Sequence, residues 1–458
     1  MPPMTGTDDL ACASAIELSK LLRARKVSSE ELVRATLARI ERCDPKGSIF
    51  VQVLADRAIK EAKKKDESLV KGEAAPPFHG IPIGIKDLNL VRGAFTRFGS
   101  KAFKWVWSPV DDRTVARIRS GGFVIVGKLA TSELGALPIT EPAIHPPTRN
   151  PWSSDHTAGG SSGGTGAALA ARLVPVAQGS DGAGSIRIPS SFCHLFGLKP
   201  SRGRLDRPYG SPDPKSLSTC GPMGHTVDDV AALLDVMAAR SDGPESFLAQ
   251  ARTKPKRMRI RMTLKSPLVS ATPAIATAVK RVAKILEDLG HRVEEGTEPE
   301  GSLEEFLPLW QYAIARAPVF RRSQLQPITR WLYDAGKPLT HEAVLERHRM
   351  LETRLDAWFG DADLYLTPTV AEPPPPIGVL AGMSPEEGFT RAARIGAFTA
   401  LFNITGQPAA NIPAGIGEGN LPIGVQIAGP RDADGIVLAV ARELEEAMPW
   451  RNHRPRNP

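Results

Sequence analysis

Apolar and polar residues follow two periods along this chain, one typical of strands and the other typical of helices. Short apolar runs bounded by glycine or proline predict strands at residues 81–86, 123–127, 174–178, 364–367 and 423–429. Apolar residues spaced three and four apart predict helices at residues 113–120, 165–172, 227–239, 275–289 and 433–447. Because the two kinds of element alternate, we expect an α/β fold.

The helical and aromatic content changes along the chain and suggests how it is organised. Ser28 and Glu31 have the spacing of a capping box ahead of apolar residues at helical intervals, so we expect a helix to begin there. Residues 241–360 are richer than the rest in long helical patterns and aromatic side chains. We predict one domain over 1–458, with an N-terminal helical segment (1–65), a core (66–240), a helical cap (241–360) and a C-terminal completion of the core (361–458).

The composition is ordinary for a globular protein, with 41% hydrophobic and 24% charged residues. The chain has no basic start followed by an apolar run and no stretch of about 18 apolar residues, so we expect a cytoplasmic protein without a membrane partner. The four cysteines form no CxxC pair, and the nine histidines include no HExxH motif. The sequence therefore predicts no metal site.

The net charge of +8 raises the question of nucleic-acid binding. The densest basic stretch lies at 252–265, and within it arginines alternate with apolar residues from Arg257 to Met262. Such alternation is typical of a strand with one solvent-exposed face and one buried face. No nucleic-acid-binding motif accompanies it, so we expect no nucleic-acid partner.

The most unusual segment is glycine-rich and runs from Thr157 to Gly166, with Ser161 and Ser162 at its centre. Glycines allow close backbone approach, so this loop can present hydroxyl and N–H groups at the start of the small-residue helix that follows. A phosphate-binding loop needs a lysine before its last hydroxyl residue, and none is present. A flexible linker would not be followed directly by an apolar helix. Neither alternative fits the segment well.

Two further segments place reactive side chains after predicted strands. Ser185 lies in a small-residue turn, where a serine can be exposed as a nucleophile and neighbouring N–H groups can bind an oxyanion. Lys86 ends an apolar segment that begins at Gly80, and burial among such neighbours would lower its pKa and let the neutral amine act as a base. Taken alone, a small-residue turn such as the one around Ser185 more often has no catalytic role, and most lysines are solvated surface groups.

Together, these three segments resemble the amidase signature family of serine hydrolases, in which a GGSSGG loop, a GSIR-type turn and a strand-borne lysine form a Ser-cisSer-Lys triad. The resemblance covers residues 16–449 and implies a mixed, twisted β-sheet core flanked by helices, with the helical cap matching only weakly. It also implies catalytic roles for Lys86, Ser161 and Ser185, with Ser185 as the nucleophile and Ser161 as the bridging serine.

The same resemblance implies roles for the residues around the triad. Four backbone N–H groups would bind the oxyanion, those of Gly182, Ala183, Gly184 and Ser185. Three side chains would support the turn, those of Ser162, Asp181 and Arg187, with a local ion pair between the last two. Ala183 and His225 depart from the family pattern, in which glycine and arginine are more usual. We expect Ala183 to adopt the turn without a positive φ.

The resemblance further implies hydrolysis of an amide C–N bond through an acyl-enzyme on Ser185, with neither a metal nor an organic cofactor. We favour small hydrophobic or aryl amides as substrates, with carbamates such as urethanes, and esters, as further candidates because they present a similar carbonyl group. We expect seven side chains to contact the substrate: Leu134, Leu137, Ile139, Trp310, Tyr312, Phe320 and Trp331.

Other functions stay open at the level of the sequence. The glutaminase subunit of a tRNA-charging amidotransferase belongs to the same family, but its GSIR motif is typically followed by glutamine, where this chain has Ile188. A non-catalytic binding scaffold and a nucleic-acid-binding protein are alternatives from other classes. The presence of all three triad residues argues against a scaffold.

Overall fold

Strands and helices alternate along the chain, and most of the strands join one large sheet. The computed structural model describes residues 7–206, 217–241 and 243–456. The strands in these ranges are β1 (Phe50–Val53), β2 (Pro82–Lys86), β3 (Val124–Leu129), β4 (Arg149–Asn150), β5 (Ser153–Thr157), β6 (Val176–Asp181), β7 (Phe196–Lys199), β8 (Thr219–Gly224), β9 (Arg259–Met262), β10 (Lys265–Ser266), β11 (Val269–Ser270), β12 (Arg292–Glu295), β13 (Leu364–Pro368), β14 (Ala409–Ile416) and β15 (Pro422–Ala428).

The helices surround this sheet. The α-helices of the described ranges are α1 (Thr7–Cys12), α2 (Ala15–Arg23), α3 (Ser29–Cys43), α4 (Ala55–Val70), α5 (Arg113–Ser120), α6 (Gly163–Ala170), α7 (Arg187–Phe192), α8 (Val227–Ala238), α9 (Phe247–Arg252), α10 (Pro273–Asp288), α11 (Leu303–Ala315), α12 (Pro327–Gly336), α13 (His341–Phe359), α14 (Pro385–Ile395), α15 (Leu401–Ile404) and α16 (Asp434–Ala447). Short 3-10 helices are η1 (Lys101–Phe103), η2 (Glu133–Gly135), η3 (Arg322–Gln324) and η4 (Glu418–Asn420).

The large sheet contains both parallel and antiparallel strand pairs, in agreement with the predicted α/β fold with a mixed β-sheet core. In the described part of the chain its eleven strands follow the order β1-β3-β2-β6-β8-β7-β14-β15-β13-β9-β12. β2 pairs in parallel with β3 and β6, whereas the central strands from β6 to β13 pair antiparallel. Because β2 and β6 run in the same direction, their carboxyl ends lie side by side, and Lys86 comes next to the turn that carries Ser185.

Alternation along the strands explains why helices cover both faces of the sheet. Ile125 of β3 packs in an apolar cluster with α8, α10 and α16, while its neighbours Val124 and Val126 pack in a second cluster with α3, α4 and α6. Successive strand side chains point to opposite faces, so each face needs its own cover. None of the helices in the described ranges combines the length and apolar character needed to cross a bilayer.

Most predicted elements are present with ends displaced by a few residues. The predicted strands correspond to β2, β3, β6, β13 and β15, and the predicted helices to α5, α6, α8, α10 and α16. Ser28 and Glu31 form the predicted capping box at the start of α3. The alternating arginines belong to β9, a strand inside the large sheet whose Ile260 is fully buried.

The predicted helical cap over 241–360 needs a correction. Its first half contributes β9 and β12 to the large sheet, and α9 and α10 pack in the core cluster of that sheet. The separate cap consists of α11, α12 and α13, which share another apolar cluster with α14 and α15. Charged residues make up half of β9 and most of β12, and these short strands lie among long helices. The sequence pattern therefore placed the start of the cap too early.

Candidate active site

Lys86 is the last residue of β2, and every residue of this strand is buried. The Lys86 backbone N–H donates to Gln178 Oε1 of β6 at 3.1 Å. The Lys86 Nζ atom lies 2.7 Å from Ser161 Oγ and 3.2 Å from Ser180 O. The lysine therefore points into the protein toward the glycine-rich loop, and not into solvent.

Burial lowers the pKa of Lys86 to about 7, although the negative charge of Asp181 opposes this shift. The contacts of its Nζ atom are a hydroxyl and a carbonyl oxygen, and neither supplies a full charge to replace lost hydration. Near neutral pH a large fraction of Lys86 is therefore the neutral amine. This is the form that can accept a proton.

Ser161 and Ser162 precede α6 in the glycine-rich loop, and their side chains face different partners. The Gly160–Ser161 peptide bond is cis. Ser161 Oγ contacts Lys86, whereas Ser162 Oγ donates to Ser180 O at 3.1 Å and accepts from the Ser180 N–H at 3.3 Å. Ser161 is thus the serine in contact with the lysine, and Ser162 ties the loop to the end of β6.

Ser185 lies in the turn between β6 and α7, and the Asp181 carboxylate shapes this turn. Asp181 accepts hydrogen bonds from the Gly184 N–H at 2.6 Å and from the Ile186 N–H at 3.1 Å. Gly184 has a φ of +126°, which any residue with a side chain would adopt only under strain. Ala183 has no positive φ, as predicted, so the alanine fits the turn.

The turn and the glycine-rich loop are held together by their backbones. The Ser162 N–H donates to Ser185 O at 3.2 Å. Ser185 Oγ makes no hydrogen bond to a residue in the described ranges, and its side chain borders a cavity. Catalytic hydrogen bonds are often long or absent before a substrate binds, so the lack of a hydrogen bond at Ser185 Oγ does not exclude it as a nucleophile.

The predicted set of oxyanion donors needs one correction. The Gly184 N–H is bound to the Asp181 carboxylate, and a short charge-assisted hydrogen bond of this kind occupies the donor. The N–H groups of Gly182, Ala183 and Ser185 donate to no acceptor within the described ranges. These three groups are the ones left to bind a negatively charged oxygen beside Ser185.

A buried ion pair supports the turn from inside the protein. Arg187 binds the Asp181 carboxylate through two N–H groups at 2.9 and 3.0 Å, and both side chains are fully buried. Arg187 also donates to Gln426 Oε1, Asn403 Oδ1 and Thr399 O. Burial by itself would raise the pKa of Asp181, but the charge and hydrogen bonds of Arg187 hold it well below its usual range. Asp181 is therefore an ionised acceptor and not a proton donor.

We expect Arg187→Met to lower the free energy of unfolding by about 3–5 kcal/mol, because it leaves the Asp181 carboxylate buried without its partner. Thermal unfolding followed by circular dichroism measures the change. Lys284→Met, at an exposed pair with Asp288, is the control and should leave the melting temperature nearly unchanged. Equal melting temperatures for the two variants would contradict a supporting role for Arg187.

A cavity that is partly open to solvent begins at Ser185. Its walls come from the turn that carries Ser185 (residues 182–186, called the catalytic turn below), the residues after η2, the cap helices α11 and α13, and the helices α14 and α15. Almost all lining side chains are apolar, among them Leu137, Ile188, Trp310, Leu351, Phe389 and Leu401. Glu300 is the charged residue of this lining, and it is exposed. The wall next to Ser185 is thus suited to an uncharged, apolar group.

Two of the seven predicted substrate contacts, Leu137 and Trp310, line this cavity. The Trp310 indole N–H donates to Ala136 O at 3.1 Å, which fixes the ring. The same ring lies against Gly182 of the catalytic turn, where an added Cβ atom would be 2.9 Å from Trp310 Cη2. Trp310 therefore contacts both the cavity and the backbone that is left to bind the oxyanion.

Three other aromatic residues of the cap do not line the cavity, which corrects the prediction for them. Phe320 is 93% exposed. Tyr312 is buried with its hydroxyl 3.5 Å from His341 Nδ1, and Trp331 packs against Phe389 with ring centroids 5.8 Å apart. Positions two apart on a helix face different directions, so α11 cannot present both Trp310 and Tyr312 to the cavity.

Leu134 and Ile139 also lie outside the cavity lining. Leu134 is partly buried against the apolar cluster of the cap. Ile139 is buried in a cluster with Ile188, Phe192 and Ile395. Both side chains pack behind the wall that Leu137 forms, so a direct substrate contact is not supported for either.

Other residues that hold the site together were not among the predicted supporting side chains. Asn403 and Gln426 bind Arg187 from 216 and 239 residues away along the chain. Behind the site, Lys128 and Asp87 form a fully buried ion pair with a distance of 3.0 Å. Polar residues of these types are common, and only the fold brings them to the catalytic turn.

His225 belongs to the protein interior. Its Nε2–H donates to Leu169 O at 2.9 Å, and burial lowers its pKa well below the usual value. It does not line the cavity. Among the described residues, no three or more His, Cys, Asp or Glu side chains are grouped so that they could hold a metal ion.

The fold and the site define a class of protein. A buried lysine contacts one serine, a second serine opens onto an apolar cavity, and both are carried by a mixed sheet between helices. Serines next to a buried base are typical of hydrolases that form covalent intermediates.

Comparisons with known proteins identify the family within this class. The model of the amidase family matches residues 31–438. A relative from Synechocystis sp. that carries a provisional amidase name is 36% identical over 455 residues, covering 96% of this chain and 89% of the relative. The structure of 6-aminohexanoate cyclic dimer hydrolase with its substrate is similar with a TM-score of 0.89 at 29% identity, covering 97% of this chain and 99% of the other. A bacterial aryl acylamidase of the amidase signature family has a TM-score of 0.84 at 26% identity, with 96% of both chains covered.

The chain belongs to the amidase signature family, and the predicted resemblance is confirmed. Its mixed sheet flanked by helices is the fold of that family. It is accordingly an amidase-type hydrolase.

Proposed function

We propose that this protein hydrolyses uncharged amides with an apolar acyl or aryl group through an acyl-enzyme on Ser185. The observation that carries the proposal is the 2.7 Å contact between Lys86 Nζ and Ser161 Oγ, beside a cavity that Ser185 borders. Burial of Lys86, with its pKa lowered to about 7, supports a base that works near neutral pH.

In the proposed acylation, Ser185 Oγ attacks the carbonyl carbon and gives its proton to Ser161 Oγ. Ser161 at the same time gives its own proton to the neutral Lys86 amine. While Lys86 accepts this proton with its lone pair, one of its N–H groups donates to Ser180 O, which orients the amine. The carbonyl oxygen becomes negatively charged and faces the unoccupied N–H groups of the catalytic turn.

The breakdown of the tetrahedral intermediate uses the same groups in reverse. Protonated Lys86 returns a proton to Ser161, Ser161 protonates the leaving nitrogen, and the C–N bond breaks. A water molecule then attacks the acyl-enzyme and passes its proton along the same path to Lys86. The acid leaves, Ser185 regains its proton, and no additional acid or base is required.

The chemistry of the cavity supports an apolar substrate. Ile188 follows the GSIR-type motif and lines the wall, where the glutaminase subunit of the family typically has glutamine. A free glutamine substrate carries two charges, and among the residues that the structure describes the lining offers an exposed carboxylate at Glu300 and no cation to bind them. The structural relatives act, by their names, on a cyclic dimer of 6-aminohexanoate and on aryl acylamides. We therefore favour hydrophobic and aryl amides, and carbamates such as urethanes that present a similar carbonyl.

The test combines active-site labelling with a substrate panel. A fluorophosphonate should label Ser185, and mass spectrometry locates the adduct. An anilide, a carbamate, an ester and a primary amide with matched apolar groups should be cleaved at different rates, with the anilide above free glutamine. Labelling without hydrolysis of any amide, or preferential hydrolysis of glutamine, would overturn the proposal.

A selectivity prediction follows from the position of Trp310. We expect Trp310→Leu to change the ratio of kcat/KM values for bulky and small amides about tenfold, because removing a cavity wall changes discrimination by about 1–3 kcal/mol. Phe320→Leu is the matched aromatic control, since that side chain lies in solvent. Rates on a panel of four amides, with melting temperatures alongside, measure the effect. A uniform loss of rate with falling stability would assign Trp310 to packing alone.

A further inference from the structure

Two segments far apart in sequence form an exposed basic and aromatic surface near the cavity. Residues 92–110 leave four large apolar side chains exposed: Val106, Val110 and, at 74% and 54%, Trp105 and Trp107. Residues 316–324 add Phe320. Single exposed apolar residues are ordinary, but several in one region mark an interaction site.

The buried carboxylate of Glu133 connects the first segment to Gln326, two residues past the end of the second segment. Ser100 Oγ donates to Glu133 Oε1 at 2.7 Å, and the Gln326 N–H donates to Glu133 Oε2 at 2.8 Å. η1 and η3 lie next to each other at this point. Glu133 also begins η2, and residues 135–138 that follow it line the cavity. The surface is thus held in a defined position beside a wall of the cavity.

The charge of this surface is positive. Neither segment contains Asp or Glu, and together they carry the cationic residues Arg92, Arg97, Lys101, Lys104, Arg316, Arg321 and Arg322. Lys104 lies over the Trp105 ring at 4.9 Å, so a cation and an exposed ring occupy the same place. Two carboxylates from outside the segments lie against them: Asp334 pairs with Arg322, and Asp111 accepts from the Arg92 N–H at 2.8 Å. Seven cationic side chains against these two carboxylates leave the surface positive.

We propose that this basic-aromatic surface, residues 92–110 with 316–324, docks onto membranes that contain anionic phospholipids. This peripheral contact departs from the sequence expectation of no membrane partner, which rested on the lack of a membrane-spanning segment. Indole rings prefer the boundary between headgroups and acyl chains, and Lys and Arg side chains bind headgroup phosphates while their stems lie along that boundary. The aliphatic side chains of Val106 and Val110 suit acyl chains better than they suit stacked bases. A second copy of the chain would bring two positive surfaces together, so the charge favours an anionic partner. Docking depends on this surface alone and not on the proposed substrate.

Co-sedimentation of the full chain with vesicles tests the proposal. The protein should bind vesicles of phosphatidylcholine with phosphatidylglycerol much more strongly than vesicles of phosphatidylcholine alone, and less as salt rises above about 0.1 M. The double variants Trp105→Ser with Trp107→Ser, and Lys101→Glu with Lys104→Glu, should each weaken binding at least about tenfold. Met350→Ser, at another exposed apolar residue, is the control and should bind as the parent does; it is 69% exposed on α13.

The lysine double variant and Met350→Ser should keep the melting temperature of the parent, because these side chains are exposed. Trp107 is only 54% exposed, so binding by the tryptophan double variant is measured at a temperature where its circular dichroism matches that of the parent. Equal binding to both kinds of vesicle, no binding by the parent, or undiminished binding by either double variant would overturn the proposal. So would a parent that instead binds a single-stranded oligonucleotide or self-associates through the same residues, measured by fluorescence anisotropy and sedimentation velocity. Amide hydrolysis is measured separately, so a failure of the proposed function leaves this result unaffected.

Discussion

Ser185→Ala should lower hydrolysis by at least about a thousandfold, because no other side chain in the turn can replace the nucleophile. The side chain borders the cavity and has no hydrogen bond within the described ranges, so its removal leaves the surrounding network intact. Initial rates on an anilide measure the loss. Intact-mass spectrometry of the parent, stopped during turnover, should show an acyl adduct at Ser185.

Ser162→Ala is the matched control for this prediction. Ser162 Oγ binds the backbone of Ser180 and contacts no cavity residue by hydrogen bond, so its loss removes about 0.5–1.5 kcal/mol of support and lowers the rate by no more than about tenfold. Ser162 and Ser185 lie 23 residues apart along the chain and have different partners. Comparing the two variants therefore distinguishes the roles of the two serines. An acyl adduct on Ser162 or Cys193 would show that the nucleophile is wrongly assigned.

The rate of the parent enzyme should rise with pH from acid toward mildly alkaline conditions. Burial lowers the pKa of Lys86 to about 7, and the neutral amine that accepts the proton is present above that pH. Below it, each pH unit should lower kcat/KM about tenfold, so only about one enzyme molecule in a hundred carries neutral Lys86 at pH 5. A pH profile of kcat/KM with a neutral substrate measures this acidic limb, that is, the fall of kcat/KM below the pKa of Lys86. A full rate at pH 5 would contradict Lys86 as the base.

Lys86→Ala should lower turnover by at least about a thousandfold and remove this limb of the profile, since the base is gone. Lys199 offers a matched control because burial lowers its pKa to about 7 as well, yet its Nζ donates to Pro200 O and not to Ser161. Lys199→Met should therefore keep the midpoint of the limb even if it lowers stability. If the pH-dependent limb disappears in the Lys199 variant and persists in the Lys86 variant, the titrating group is Lys199, and the assignment to Lys86 is wrong.

The chemical groups of the site could be predicted because each lies in a short segment with an unusual composition. Lys86, Ser161 and Ser185 are flanked by glycines or by an apolar strand, and local steric and solvation effects make such patterns rare in ordinary loops and surfaces. The pairing of β2 with β6 then brings the segments together. The ion pair between Asp181 and Arg187 could also be predicted, because its partners lie six residues apart.

The substrate side of the site was not predictable in the same way. Trp310 lines the cavity while Tyr312 packs inside and Phe320 lies in solvent, although all three are aromatic residues of the same segment. Their roles depend on the rotation of α11 and on the path of the chain after it, which packing against the sheet decides. The two short strands β9 and β12 were likewise hidden among helices.

The sequence by itself determined the family and the alternation of strands and helices, and it singled out the three proposed reactive side chains, because these follow from local periodicity and from contiguous motifs. The tertiary structure alone decided which backbone N–H groups are free to donate and which side chains line the cavity. It occupies the Gly184 N–H with Asp181 and brings Asn403 and Gln426 to Arg187. It also withdraws the hydration of Lys86, which lowers the pKa of the amine to about 7. Contacts between distant segments and the exclusion of water are properties of the packed chain, and no local pattern of residues records them.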